Sequence, residues 1–452
     1  MPSLDRARLT TLLDRERRAF IAAHPRSQAL HERARGALLG GLPMSWMAKW
    51  AGAFPVYVAE AKGAHIRCVD GHDYVDLCLG DTGAMAGHAS AETLASIAAQ
   101  APRGLATMLP TDDAALAAEE LARRFGLPTW QFTLSATDAN RFALRLARLV
   151  SGRPKVLVFD YCYHGTVDES FATLGPDGRV RPRRGNLGPQ VDPAVTTKVV
   201  PFNDPAALEA ALAPGDVAVV ITEPALTNIG IVLPEPGFHD DLRELTRRTG
   251  TLLLLDETHT VCAGPGGYTG AYGLEPDMLT VGKQIGGGVP VGAYGMTAEL
   301  ADRVAVSIEL EDCDVGGIGG TLAGNPLSTA AVRATLSGGA LSAAAFARTI
   351  PLAERWMAGV QAALARHGVP WHVTRLGCRA EYAFGATPPR DGAEAAAAAD
   401  FTLERYLHLH ALNRGLLLTP FHNMALMSVA TTEADVDRHS SAFDESLRDL
   451  FD

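Results

Sequence analysis

The chain has 452 residues, 47% apolar and 20% charged, which excludes a disordered or fibrous protein and leaves room for two or three structural units. Forty lysines and arginines against 51 aspartates and glutamates give a net charge of −11, and no basic run is present. Nucleic acid and anionic membrane surfaces are therefore not expected partners. Only five of the basic residues are lysines (Lys49, Lys62, Lys155, Lys198 and Lys283), so any chemistry that needs a primary amine has five candidates.

In chain order, residues 4 to 38 have helical spacing. A break at Gly40 and Gly41 leads into a loop heavy in large apolar residues, from Leu42 to Pro55. Residues 56 to 77 then alternate at period two around the turn Asp70-Gly71, the pattern of a short antiparallel meander. From about residue 112 strands alternate with helices. The strand-like runs are 130–135, 155–160, 197–202, 216–224, 251–257 and 277–283. Several are unbroken stretches of Val, Leu and Ile, which read as strands buried on both faces of a parallel sheet covered by helices. Beyond Pro326 an Ala-rich helical stretch precedes a second alternating region, 371–384, and a last helix from about Glu433. The expected division is an N-terminal helix and meander over 1–100, a large domain over 101–330 and a small C-terminal domain over 331–452.

The six cysteines (Cys68, Cys78, Cys162, Cys262, Cys313 and Cys378) show neither C-x-x-C nor metal-ligand spacing, so reduced thiols, no metal site and a cytoplasmic location are expected. The N-terminus is charged early and lacks an apolar h-region. No run of about 18 apolar residues occurs, so neither a signal peptide nor a membrane span is expected.

The informative residues cluster at the ends of the buried runs, where open α/β sheets bind ligands. Asp256 closes TLLLLDE, and a carboxylate there must be paired or it is neutralised by desolvation. Lys283 closes DMLTVGK and runs into glycines. A lysine among small apolar residues is suited to act as an amine nucleophile toward an aldehyde. Ser135, Ala136 and Thr137 sit where a strand passes into a helix and offer N–H groups and hydroxyls to a phosphate. Tyr163, followed by His164 and Gly165, places a ring at the same edge for stacking on a flat group. A phosphate cradle, a stacking ring, a buried carboxylate and a reactive amine together describe a pyridoxal phosphate site, with Lys283 and Asp256 as the catalytic pair.

With these residues in place the sequence resembles the class III, fold-type I aminotransferases, in the branch around glutamate-1-semialdehyde aminomutase. The resemblance runs from VDGHDYVDL and Gly87-His88 through Ser135-Ala136-Thr137-Asp138-Ala139, Tyr163-His164-Gly165 and Asp256-Glu257 to the Lys283-Gln-Ile-Gly-Gly-Gly run. It implies an α/β fold, with a large domain built on a mainly parallel seven-stranded sheet and a small α+β domain made from both ends of the chain. It also implies cofactor contacts at Glu223, Asn228 (near the pyridoxal 3-hydroxyl) and Thr258. Thr321 is implied to reach the neighbouring subunit's cofactor phosphate in a homodimer.

Departures from the family bear on substrate. Thr258 stands for the usual Val. Asn423-Met424-Ala425 stands where the aminomutase has Phe-Glu-Ala, and the loop at 42–54 carries Trp46, Met47, Lys49 and Trp50 without a carboxylate-gripping arginine. Asp81 and the acidic stretch from Glu309 to Asp314 suggest an acidic entrance. Arg379 and Arg375 are the candidates for a remaining carboxylate grip, although Glu381 could equally neutralise Arg379. Trp46, Trp50, Asp81, Arg379 and Met424 are thus the expected substrate-binding residues, in a rather apolar pocket. The expected activity is an aminotransferase moving an amino group between an amine or amino acid and a keto or aldehyde acceptor. The alternative is a 2,1-aminomutase or epimerase, and a cofactor-binding regulator without turnover is the non-enzyme reading.

Overall fold

The structure, a computed structural model, describes residues 4–188, 191–308 and 317–452. It divides into two compact units, one made of residues 1–90, 345–388 and 398–452, the other of 91–344 and 389–397. The acidic stretch Glu309 to Asp314 lies outside the described residues.

In the first unit the N-terminal helical stretch is two helices, α1 (Arg6–Ala23) and α2 (Pro25–Ala34). The break has a direct cause: Pro25 disfavours helical backbone at the residue before it, and His24 adopts φ −124° and ψ 48°. The meander forms as β1 (Val58–Lys62), β2 (His65–Cys68) and β3 (Asp73–Asp76), each antiparallel to the next. A fourth strand, β15 (Leu416–Leu417), joins parallel to β3, so the two ends of the chain share one sheet. A second sheet pairs β13 (His372–Leu376) with β14 (Arg379–Ala383), and β14 with β16 (Met424–Leu426), all antiparallel. The last helix, Glu433–Phe451, starts on a capping box in which Thr432 and Asp435 satisfy each other's backbone N–H groups.

The second unit is built on a seven-stranded sheet. Its strands are β4 (Thr129–Thr133), β5 (Lys155–Phe159), β8 (Thr197–Val200), β9 (Val217–Thr222), β10 (Leu252–Asp256), β11 (Met278–Gly282) and β12 (Gly292–Met296). They lie in the order β4-β12-β11-β10-β9-β5-β8. A small hairpin, β6 (Ala172–Leu174) with β7 (Val180–Pro182), stands apart. Six of the seven strands run the same way, and β12 is antiparallel to both its neighbours. Every residue of β9, β11 and β12 is buried, as expected for strands covered on both faces. Helices α3 (Ala91–Gln100), α4 (Asp112–Phe125) and α5 (Ala136–Ser151) belong to this unit, and the helix Pro326–Ser337 packs on α3 and α4. The core runs from Phe142, Leu144 and Leu146 of α5 through the Val, Leu and Ile residues of β5, β9 and β10 to Phe238, Leu242 and Leu245.

Leu254, at the middle of β10, is fully buried. Leu254→Ala should lower the denaturant midpoint by the equivalent of about 2–5 kcal/mol, the usual cost of a buried leucine truncated to alanine. Equilibrium urea unfolding followed by circular dichroism measures it.

Candidate active site

Asp256 is the last residue of β10 and is 3% exposed. Its Oδ2 accepts from Asn140 Nδ2 at 2.8 Å and from His164 Nδ1 at 2.9 Å, and Oδ1 accepts from the Thr258 N–H at 3.1 Å. Burial alone would raise this carboxyl. The hydrogen bond and charge of His164, with the Thr258 and Asn140 bonds, outweigh it and hold Asp256 below the usual carboxylate range. For His164, burial pulls the imidazole down, but Cys162 and the Asp256 carboxylate together push it up to about 10. Asp256 and His164 therefore form a buried ion pair, with Asn140 donating to the same carboxylate oxygen. That amide also donates to the His164 carbonyl at 3.2 Å and accepts from Thr280 Oγ1 at 2.5 Å.

The two glutamates nearby are engaged by backbone and hydroxyl groups. Glu257 accepts from Thr260 Oγ1 at 2.5 Å and from the Tyr268 N–H at 3.0 Å, and burial pushes it up. Glu223, just past β9, accepts from the Thr227 N–H and hydroxyl and, at 3.4 Å, from the Tyr163 N–H. Burial raises Glu223 as well. Glu223 thus ties the Tyr163 turn to the loop after β9, and Asn228 lies half-buried in that loop.

Parallel register sets the positions of the reactive groups. Asp256 is level with Thr280 across β10 and β11, so three residues onward His259 and Lys283 fall side by side. Lys283 Nζ is 2.7 Å from His259 Nε2. Lys283 has a left-handed backbone (φ 49°), an uncommon conformation for a lysine and one that concentrates at functional sites. Gln284, with its amide turned to donate to the carbonyls of Gly282 (3.1 Å) and Thr258 (3.0 Å), stitches the two turns together.

Ser135 caps α5. Its Oγ accepts from the Asp138 N–H at 3.1 Å and donates to Asp138 Oδ2 at 3.0 Å, while Thr137 Oγ1 accepts from the Thr166 N–H at 3.1 Å. Both hydroxyls are thus engaged locally, and the first-turn N–H groups around Ala136 and Thr137 are those that intrahelical bonding leaves over. The helix start lies hard against the strand ends. A Cβ on Gly282 would come within 2.8 Å of Ala136 Cβ, and one on Gly165 (φ 74°) within 2.1 Å of Thr137 Oγ1. Among the described residues Thr258 Oγ1 is buried without a hydrogen-bond partner.

A helix N-terminus, an ionised buried carboxylate, an unsatisfied hydroxyl and a strand-end lysine, all at the carboxyl edge of one sheet, match the phosphate, ring nitrogen and aldehyde of pyridoxal phosphate. The class-III aminotransferase pattern matches residues 46–432. The chain belongs to the class-III aminotransferase family. It is 35% identical, over 92% of its own length and 96% of the relative's, to glutamate-1-semialdehyde 2,1-aminomutase of Anaeromyxobacter dehalogenans. A glutamate-1-semialdehyde aminomutase from Pseudomonas aeruginosa shares 50% identity and a TM-score of 0.96 over 99% of both chains, and a lysine-to-alanine variant of it is known in complex with PMP. An omega-transaminase from Sphaerobacter thermophilus is 30% identical, with a TM-score of 0.84 over 94% of this chain and 97% of that one. The fold is that of the fold-type I transferases and the cofactor is pyridoxal phosphate.

The sequence candidates Ser135, Ala136, Thr137, Tyr163, His164, Glu223, Asn228, Asp256, Thr258 and Lys283 all lie in the second unit, at or just beyond the carboxyl ends of its strands. Thr321, also in that unit, is exposed on the turn before Pro326–Ser337. Trp46, Trp50, Asp81, Arg379 and Met424 belong to the first unit. Trp46 meets Phe421 edge-on at 5.9 Å, and Lys49 Nζ lies over the same ring at 5.0 Å. Trp50 is half-buried, and Asp81 has φ 50°. Arg379 is 1% exposed and donates to Glu381 Oε2 at 2.9 Å, so its guanidinium already has a carboxylate inside the protein. Glu381 also meets His422 Nδ1 at 3.3 Å, and Arg375 pairs with Glu354 at 3.2 Å. Met424 is fully buried on β16. Among the described residues no His, Cys, Asp and Glu group could hold a metal ion, and no helix is long and apolar enough to cross a membrane.

Two site residues escape sequence reading. Asn140 is a buried amide on the apolar face of α5, beside Ala139 and Ala143, and that polar break in an apolar stripe is its signal. His259 is found only through the register, since it trails Asp256 by the same three residues by which Lys283 trails Thr280.

The His164 value fixes a pH dependence. A folded-state value raised above the ordinary 6.5 means its stabilisation is complete below about pH 6.5 and is lost as pH climbs toward about 10. Unfolding midpoints measured between pH 6.5 and 10 should fall in the wild type, and this component of the fall should be missing in His164→Asn.

Proposed function

We propose that the chain is a pyridoxal-phosphate enzyme that moves an amino group between adjacent carbons of a small amino aldehyde, as a 2,1-aminomutase does. Lys283 just beyond the end of β11, with a buried, ionised Asp256 at the end of the neighbouring β10, supports the cofactor chemistry. The names carried by relatives at 35% and 50% identity support the aminomutase outcome. When bound, the cofactor supplies an electron sink that makes protons beside an amine labile.

The chain's own residues have separable tasks in this reading. Asp256 holds a proton at the ring nitrogen, and His164 and Asn140 keep the carboxylate aligned and charged. The Thr258 hydroxyl would be available to the ring. The start of α5 binds the phosphate through N–H groups, with the helix dipole adding to the attraction. Tyr163 and Asn228 would help hold the ring, the tyrosine by stacking and the amide near the 3-hydroxyl. Lys283 Nζ would be the group that holds the cofactor's aldehyde end, and its amine would carry a proton between substrate carbons. The enzyme works as a cytoplasmic homodimer in which Thr321 reaches the other subunit's phosphate. On sequence correspondence alone, Trp46, Trp50 and Asp81 meet the substrate.

A second reading, an aminotransferase that takes its amine from one molecule and gives it to another, is favoured by one observation. Arg379 is committed to Glu381 and Arg375 to Glu354, so neither is a spare guanidinium for a substrate carboxylate. Mass spectrometry separates the readings. An aminomutase converts a single amino aldehyde, glutamate-1-semialdehyde first, into an isomer of equal mass with no second substrate. An aminotransferase yields a keto product only when an amino acceptor is added. Lys283→Ala should abolish turnover and the absorbance of the lysine-bound cofactor, and retained turnover would exclude Lys283 from the chemistry. Asp256→Asn should lower stability, because it leaves the buried His164 without its counter-charge, and should slow turnover by about a hundredfold or more, given the size of electrostatic terms in buried sites.

A further inference from the structure

We propose that His259 is the proton acceptor that releases the Lys283 amine for attack on an aldehyde. The inference rests on the reading of Lys283 given above and assigns a second residue to the same step. Nζ and Nε2 stand 2.7 Å apart, within reach for a proton to pass directly from one to the other. The lysine donates while it is an ammonium and accepts once the imidazole carries the proton.

The contact is built by the backbone. His259 sits in the turn after β10, and the bonds that hold that turn include the Thr258 N–H on Asp256, the Thr260 hydroxyl on Glu257, and the Val261 N–H on the Glu257 carbonyl at 3.0 Å. Lys283 sits in the turn after β11, and Gln284 binds carbonyls of both turns. Neither side chain depends on a flexible loop for its position. The imidazole is half-buried, which leaves it able to pass a proton onward.

The step balances. An ammonium has no lone pair, so one of its three protons passes from Nζ to His259 Nε2. The nitrogen then bonds to the aldehyde carbon, and the remaining two protons leave with the carbonyl oxygen as water. In reverse, water adds, the carbon–nitrogen bond breaks and His259 returns its proton to the departing amine. No oxidant or further reactant is needed.

The test measures the amine itself in the full-length chain freed of cofactor. Formaldehyde with cyanoborohydride methylates accessible amines through the same attack on an aldehyde, and peptide mass mapping assigns a rate to each of the five lysines. Lys155 and Lys198, both paired with Asp216, serve as internal references with Lys49 and Lys62. His259→Gln retains hydrogen-bonding capacity but cannot take a proton, and His259→Ala removes both. At neutral pH each should slow Lys283 by about a hundredfold, the lower range for a positioned general base, while the other four lysines keep their rates. Added imidazole should restore Lys283 alone in His259→Ala. If His259→Ala does not fold, His259→Gln, of similar size, decides the matter. Lys283 rates within about twofold of wild type in the variants, full speed in His259→Gln, or indifference of His259→Ala to imidazole would overturn the assignment. Because the readout needs neither turnover nor bound cofactor, failure here is distinct from failure of Lys283→Ala to abolish activity.

Discussion

One buried carboxylate organises the catalytic edge of the sheet. Asp256 is almost wholly removed from water and yet is held as an anion, and an ionised group in such a place survives only if its lone pairs are taken up. His164, Asn140 and the Thr258 N–H meet that need, and each comes from a different element. Satisfying Asp256 therefore fixes the turn after β5, the face that α5 turns to the sheet, and the first step of the chain beyond β10. The start of α5 and the Tyr163 turn inherit their positions from those same elements.

The second constraint is parallel register. Because β10 and β11 run side by side, the residues that follow them emerge level, and the chain uses one level for Thr258 and Gly282 and the next for His259 and Lys283. Glycine at Gly282 and Gly165 lets the start of α5 approach without a Cβ in the way. The result is a site whose geometry is set by strands and a helix start, which hold catalytic groups more tightly than loops do.

Much of this was legible in the sequence, for reasons that differ by element. The runs TLLLLDE and DMLTVGK announced β10 and β11 because strands buried on both faces need unbroken apolar residues, and a charge at their end is conspicuous. β12 was hidden, since GAYGM has two glycines and follows a glycine run that reads as a loop; only its pairing with β4 and β11 makes it a strand. The break at His24 is a local proline effect, masked by helical spacing on both sides. Asn140 and His259 were missed because their roles depend on contacts 116 and 24 residues away, which no local pattern records. Arg379 was legible as a cation, but its commitment to Glu381 follows from the strand that carries both. The family showed through the resemblance of its motifs. Substrate choice did not, because it turns on side-chain partners.

The measurement that tests this account most directly is the ¹⁵N resonance of the ring nitrogen of labelled pyridoxal phosphate bound to the protein. An ionised Asp256 held by His164 and Asn140 predicts a protonated pyridinium nitrogen across the neutral range in the wild type and a neutral pyridine in Asp256→Asn. A neutral pyridine nitrogen in the wild-type protein would contradict it.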